Sequence, residues 1–252
     1  MSFGVCIVSI CPIRKEPSHT SEMVSQLLFG EFLEVLEADA VFTRIKCLYD
    51  EYEGWIQTVQ FDKVTQKTAS LKPLGYTYKH KSKAILKEDK LYLSVATPVF
   101  HEISTTHFTL NYDNPLIWTV DEDLKDDYII KSIALLYLNT PYLWGGKSSS
   151  GIDCSGLTQQ VLKLMGIVLK RDAYQQAEQG KVVDFLQEAQ CGDLAFFDND
   201  EGRITHTGIM LSSETIIHAS GRVRIDGIDN MGIINSDTGK RTHKLRVVKR
   251  FI

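Results

Sequence analysis

The chain has 252 residues, an ordinary balance of apolar and charged side chains, and a net charge of −4. A length of about 100–200 residues per domain predicts one or two domains, each able to bury a core. The charge offers no broad basic field for nucleic acid or an anionic membrane surface, and no run of about 18 apolar residues suggests a membrane span.

The first residues, Met-Ser-Phe-Gly-Val-Cys-Ile-Val, carry neither a positive segment nor a long apolar stretch. They read as a strand and not as an export signal, so a cytoplasmic location is expected. Residues 3–10, 32–38, 41–48 and 54–59 are short apolar runs between turn residues. Such runs predict a small, strongly bent β-barrel or sandwich. Residues 60–82 are polar and Lys-rich, and strand-like runs return in 83–120. They leave open whether 60–120 extends the first barrel or makes a second.

After Asp121 the texture changes, and a domain boundary is placed near residue 120, giving regions 1–120 and 121–252. The acids of Asp121–Asp127 suit a first helical turn. Ile129, Ile133, Leu136 and Leu138 follow at near-helical spacing, until Pro141 stops the helix. A second helix is capped by Asp153, carries Leu157, Val161, Leu164 and Met165 as its stripe, and ends at Gly166. Strands at 193–197, 206–211, 215–219 and 245–252 complete an α+β pattern.

Five cysteines are present, Cys6, Cys11, Cys47, Cys154 and Cys191, with no Cys-x-x-Cys pair. Neither a zinc knuckle nor a thioredoxin-like site is indicated. Cys6, Cys47 and Cys191 read as small buried hydrophobes. Cys154 differs, because it starts the second helix. Orphan N–H groups and the helix dipole there are expected to lower its thiol pKa and favour a nucleophilic thiolate. The Gly-Gly-Lys-Ser-Ser-Ser-Gly run (145–151) before it would let a substrate backbone approach.

His206 and His218 bracket two apolar runs. If these pair as a hairpin through 212–214, the two residues face each other across the ladder. One imidazole could then take the thiol proton while the other orients it. His19, His80, His101, His107 and His243 receive no role. Zinc held by Cys154, His206 and His218 is set aside, because none belongs to a local chelating pair. No metal or other cofactor is expected.

Five segments occur in a recognisable order: Pro141-Tyr-Leu-Trp-Gly-Gly146, Gly151-Ile-Asp-Cys-Ser-Gly-Leu157, Gly192-Asp-Leu-Ala-Phe-Phe197, His206-Thr-Gly-Ile-Met-Leu211 and Ile217-His-Ala219. Over residues 122–252 the chain resembles the NlpC-type cell-wall cysteine peptidases, which have a pared-down papain fold. The resemblance implies Cys154 as nucleophile, His206 as general base and His218 as orienting residue. It also implies an oxyanion donor in the Cys154 N–H, and substrate contacts from Tyr142, Trp144 and Ser155. The first half, through Cys11-Pro-Ile-Arg-Lys-Glu-Pro and Tyr52-Glu-Gly-Trp-Ile, resembles the bacterial SH3-like domain that precedes such peptidases.

A subgroup with this layout cuts γ-D-Glu–diamino acid bonds in L-Ala-γ-D-Glu peptides released in wall recycling. In that subgroup an aspartate binds the free L-Ala ammonium. Arg171-Asp-Ala-Tyr-Gln-Gln176 matches the motif, which points to Asp172, with Ala173 where some relatives carry serine. Glu22 and Tyr52 are the matching candidates for SH3-like-domain groups that close the site. The partner implied is a small murein peptide, and a monomer is expected. The alternatives are a silent peptidoglycan-binding protein, or another amidase or acyltransferase on the same fold.

Overall fold

The computed structural model describes residues 1–79, 82–113, 115–120 and 126–252. His80 and residues 121–125 of the acidic run lie outside the described residues. By its contacts the chain divides into Met1–Val120 with Trp144–Ser150, and Asp121–Leu143 with Gly151–Ile252.

The first unit is built on seven antiparallel strands: β1 (Ser2–Cys6), β2 (Ile10–Arg14), β3 (Met23–Leu28), β4 (Phe32–Ala38), β5 (Phe42–Cys47), β6 (Glu53–Gln57) and β7 (Phe61–Val64). Their order is β3-β2-β6-β5-β4-β1-β7, an SH3-like barrel arrangement. Alternation drives it: Cys11, Ile13, Ile45, Cys47 and Ile56 point into one cluster with Cys6, Leu27, Leu33 and Phe61. Cys6, Cys11 and Cys47 are therefore core residues. β2 and β3 lie beyond the runs expected from the sequence.

Residues 75–118 form a four-stranded and a three-stranded sheet of their own. They extend the barrel's core, because Ala84, Leu93, Phe100, Ile103 and Leu110 pack with Val5, Ile7, Phe29 and Phe32. Segment 144–150 is held by a buried charge cluster. Lys147 Nζ lies 3.8 Å from both Glu31 Oε2 and Asp50 Oδ2, and all three side chains are at most 5% exposed. Its N–H donates to Gln26 Oε1 at 2.8 Å. Lys147→Met strands two buried carboxylates. It is expected to destabilise the protein by about 3–5 kcal/mol, read from urea unfolding.

The second unit places helices α1 (Asp127–Leu135), α2 (Cys154–Leu164) and α3 (Ala173–Ala177) with strands β8 (Lys181–Val183), β9 (Leu194–Asp198), β10 (Ile204–Ser212), β11 (Thr215–Ser220), β12 (Arg222–Asp229), β13 (Gly232–Ile234) and β14 (Arg241–Arg250). The order is β8-β14-β9-β10-β11-β12-β13, and β13 pairs back onto β14. Ala195, Phe197, Met210, Ile216, Ile228, Ile233 and Val248 fill the sheet's core.

Helix α2 packs on β10 and β11, and all its residues are buried. Although the helix is buried on every side, some of its polar side chains find partners within the protein. Thr158 Oγ1 donates to Gln176 Oε1 at 2.7 Å, and Gln159 Nε2 to the Leu169 carbonyl at 3.0 Å. The helix stops where Gly166 adopts φ +78°, and the Ile167 N–H closes onto the Leu162 carbonyl.

Candidate active site

Asp153 fixes where α2 begins. Its backbone is extended, and its Oδ1 accepts the Gly156 N–H at 2.7 Å. Cys154 is thereby the first helical residue, buried to 7% exposure. Asp153 also takes both ends of Arg171, NH2 to Oδ2 at 2.7 Å and NH1 to Oδ1 at 3.1 Å. Arg171 is 1% exposed, and its NH1 donates to Ser155 Oγ at 2.9 Å. The buried ion pair holds the turn that carries the sulfur.

The thiol is not the low-pKa group expected from the helix start. Burial, and next the Asp153 carboxylate, push it up to about 12. Hydrogen bonds from the Thr207 and Ser155 backbone N–H groups and the charge of Arg171 oppose this and do not prevail. Cys154 is therefore a neutral thiol, which could act as a nucleophile only with a base to take its proton. The Thr207 N–H that reaches the sulfur belongs to the residue after His206, so the helix start docks beside the second candidate.

His206 lies on β10 opposite Phe197, and His218 lies on β11. They are not directly opposed, because the turn lies between Ser212 and Thr215 and His218 faces Gly208. They are diagonal neighbours on one face, within reach of long side chains. His206 Nε2 and His218 Nδ1 are 2.9 Å apart.

Asp226 on β12 then sets the direction of the chain. Its Oδ2 is 2.9 Å from His218 Nε2. Arg224 binds both its oxygens, at 2.7 and 2.8 Å, and the Ser236 N–H adds a third donor at 2.8 Å. Although burial opposes ionisation, these donors hold the carboxyl well below its usual range. An ionised carboxylate only accepts, so His218 carries its proton on Nε2 and presents a lone pair at Nδ1. His206 therefore donates from Nε2 and keeps the lone pair on Nδ1. Burial, with the neighbouring His243 and His218, holds His206 well below pKa 6.5, so the imidazole is neutral at neutral pH.

Tyr142 is bound to the same turn. Its N–H donates to the Gly221 carbonyl at 3.0 Å, and it bridges in parallel to Ile152. Burial, with the nearby Asp153 carboxylate, pushes its hydroxyl up to about 12, which keeps it a neutral donor. Asp172 caps α3, its N–H donating to Gln175 Oε1 at 3.2 Å, and Ala173 is buried just inside the cap.

Comparison with known proteins matches residues 139–242 to the NlpC/P60 family and residues 13–60 to the bacterial dipeptidyl-peptidase SH3 domain. Residues 139–242 form an NlpC/P60 domain. The gamma-D-glutamyl-L-lysine dipeptidyl-peptidase of Bacillus subtilis is 31% identical over 67% of this chain, which spans 60% of that relative's length. Dipeptidyl-peptidase 6 of Lysinibacillus sphaericus is 26% identical over 90% of this chain and 92% of its own. A Bacillus cereus NlpC/P60 family protein of known structure superposes with a TM-score of 0.79 at 19% identity, covering 99% of both chains.

The NlpC/P60 domain brings Cys154, His206, His218 and Tyr142 onto one set of packed elements. Ser155 is committed to Arg171 and buried, which makes it a support of the helix start. In the first unit Trp144, 61% exposed, donates from Nε1 to Glu22 Oε1 at 2.8 Å, which joins two residues the sequence named separately. Tyr52 packs against the barrel core.

Three residues of the second unit were missed. Asp226 and Arg224 sit on a strand with no strong apolar signal, so only the fold brings them to His218. His243, given no role, stacks on His206 with ring centroids 4.0 Å apart and planes 21° apart. It comes from β14, far along the chain.

Proposed function

We propose that this protein is a cysteine endopeptidase that hydrolyses the γ-D-Glu–diamino acid bond of short peptidoglycan-derived peptides bearing a free N-terminal L-Ala. The observation that carries this reading is the one-way hydrogen-bond chain from Asp226 through His218 to His206, which leaves a lone pair on His206 Nδ1, while the N–H of the next residue, Thr207, reaches the Cys154 sulfur. The names of the Bacillus subtilis and Lysinibacillus sphaericus relatives support the substrate class.

His206 Nδ1 takes the thiol proton as Cys154 Sγ attacks the γ-carbonyl carbon. The resulting imidazolium is stabilised through His218 by the Asp226 carboxylate. The oxyanion is met by the Cys154 N–H and by the neutral Tyr142 hydroxyl. Collapse breaks the C–N bond, and the departing amine takes its proton from His206 Nδ1. A water deprotonated by His206 then hydrolyses the thioester, freeing the γ-carboxylate and the thiol. Asp172 supplies a carboxylate for the L-Ala ammonium. A cytoplasmic role in recycling wall peptides suits a substrate this small.

Because His206 must be neutral in the free enzyme and is held below pKa 6.5, the acidic limb of kcat/KM is expected below pH 6.5. A limb at or above 6.5 would contradict the buried-base assignment. The substrate is tested by incubating the enzyme with L-Ala-γ-D-Glu-L-Lys and with its N-acetylated form. Release of L-Lys from the free-amine peptide alone is expected. Equal cleavage of both removes the role given to Asp172, and cleavage of neither removes the substrate assignment.

A further inference from the structure

The stacking of His243 on His206 has a second consequence, because it completes a group of three imidazoles. One ring nitrogen from each of His206, His218 and His243 lies within 4.8 Å of the other two. We propose that these three rings form a binding site for zinc or a similar imidazole-preferring divalent transition metal, and that its occupation switches the enzyme off. The switching rests on the peptidase reading, whereas the metal binding does not.

The donor set suits such an ion. Imidazole nitrogen is a preferred zinc ligand, and three protein ligands with one open position make a complete zinc shell. His218 already has the support a metal-bound histidine uses: a carboxylate on one nitrogen with the lone pair of the other pointing away. His243 Nδ1 is engaged by Thr242 Oγ1 at 2.9 Å, which fixes that ring and directs its Nε2 elsewhere. Half-buried on β14, His243 also gives an ion a way in.

Binding requires the His206 and His243 rings, now stacked with planes 21° apart, to turn so that their in-plane lone pairs converge on one ion. Two nitrogens on a tetrahedral zinc are separated by about 3.3 Å, so the 2.9 Å His206–His218 pair opens by about 0.4 Å. The widest nitrogen separation closes by about 1.5 Å. To ligate through Nε2, His206 carries its proton on Nδ1 instead. That is the position from which it accepts the thiol proton, so the metal-bound enzyme has no base.

Binding is measured by calorimetry of zinc with the Cys154→Ala protein, which removes the thiol as a competing ligand. One zinc per chain is expected, weakened at least about tenfold by adding His243→Phe, which keeps an aromatic ring on His206. In the imidazole nitrogen NMR spectrum of the Cys154→Ala protein, zinc should perturb three of the seven histidines, His206, His218 and His243. This readout stands even if the phenylalanine variant does not fold. Absence of stoichiometric binding, unchanged affinity in folded His243→Phe, or perturbation of other histidines overturns the site. Zinc binding without peptide cleavage leaves the site standing and retires the peptidase reading. Cleavage without zinc binding does the reverse.

Discussion

Asp226→Asn is expected to lower kcat by about 10²-fold while leaving KM within a few-fold. Losing the acid beside a catalytic imidazole costs about 10⁴-fold when it contacts the base directly. Here one further imidazole intervenes, so the loss is smaller. Asparagine is isosteric, yet its amide can donate as well as accept, and His218 loses the partner that fixes its proton on Nε2. The chain to His206 can then reverse, which places the proton on the nitrogen that should accept one. The same substitution removes the negative charge that favours imidazolium on His218. The acidic limb of kcat/KM should move to lower pH. A merely structural role for Asp226 would reduce the amount of folded enzyme without moving that limb.

Asp226 also links stability to pH. Its folded pKa lies below the unfolded value of about 3.9, so its contribution is present above that pH and is lost as pH falls through the folded value. The asparagine variant should therefore lose less stability on acidification than the parent.

Arg171→Met is the second large effect. It leaves Asp153 buried and unpaired at the start of α2, at a cost of about 3–5 kcal/mol, read from urea unfolding. Activity per folded molecule should fall as well, because Arg171 holds Asp153 and Ser155 on either side of Cys154. The double variant Asp153→Asn/Arg171→Met removes both charges and should recover much of the stability. A single variant as stable as the parent would show that the ion pair is not what holds this turn.

The elements that announce themselves locally were legible in the sequence. Asp153 before an apolar helical stripe marks the cap of α2, and Gly166 marks its end. The barrel's alternating runs mark most of its strands. β2 and β3 were missed because Pro12 and the polar Ser25 and Gln26 interrupt their patterns, although Ser25 and Gln26 are buried by the surrounding sheet. At the site, sequence order gave Cys154, His206 and His218, but not the two-residue offset between the histidines, which follows from the turn lying between Ser212 and Thr215. The thiol's direction of shift was misjudged because a helix start is a local feature, whereas burial of the whole helix is a tertiary one. Asp226, Arg224 and His243 could not be placed, since their roles exist only once β12 and β14 lie beside β11 and β9.

The most direct test of the Cys154 relay is to quench the enzyme during turnover of L-Ala-γ-D-Glu-L-Lys and map its mass. The account predicts an L-Ala-γ-D-Glu adduct of at most one per chain on the peptide carrying Cys154, formed with the first equivalent of L-Lys, and neither adduct nor release with Cys154→Ala. Cleavage by Cys154→Ala at the parent rate would contradict it.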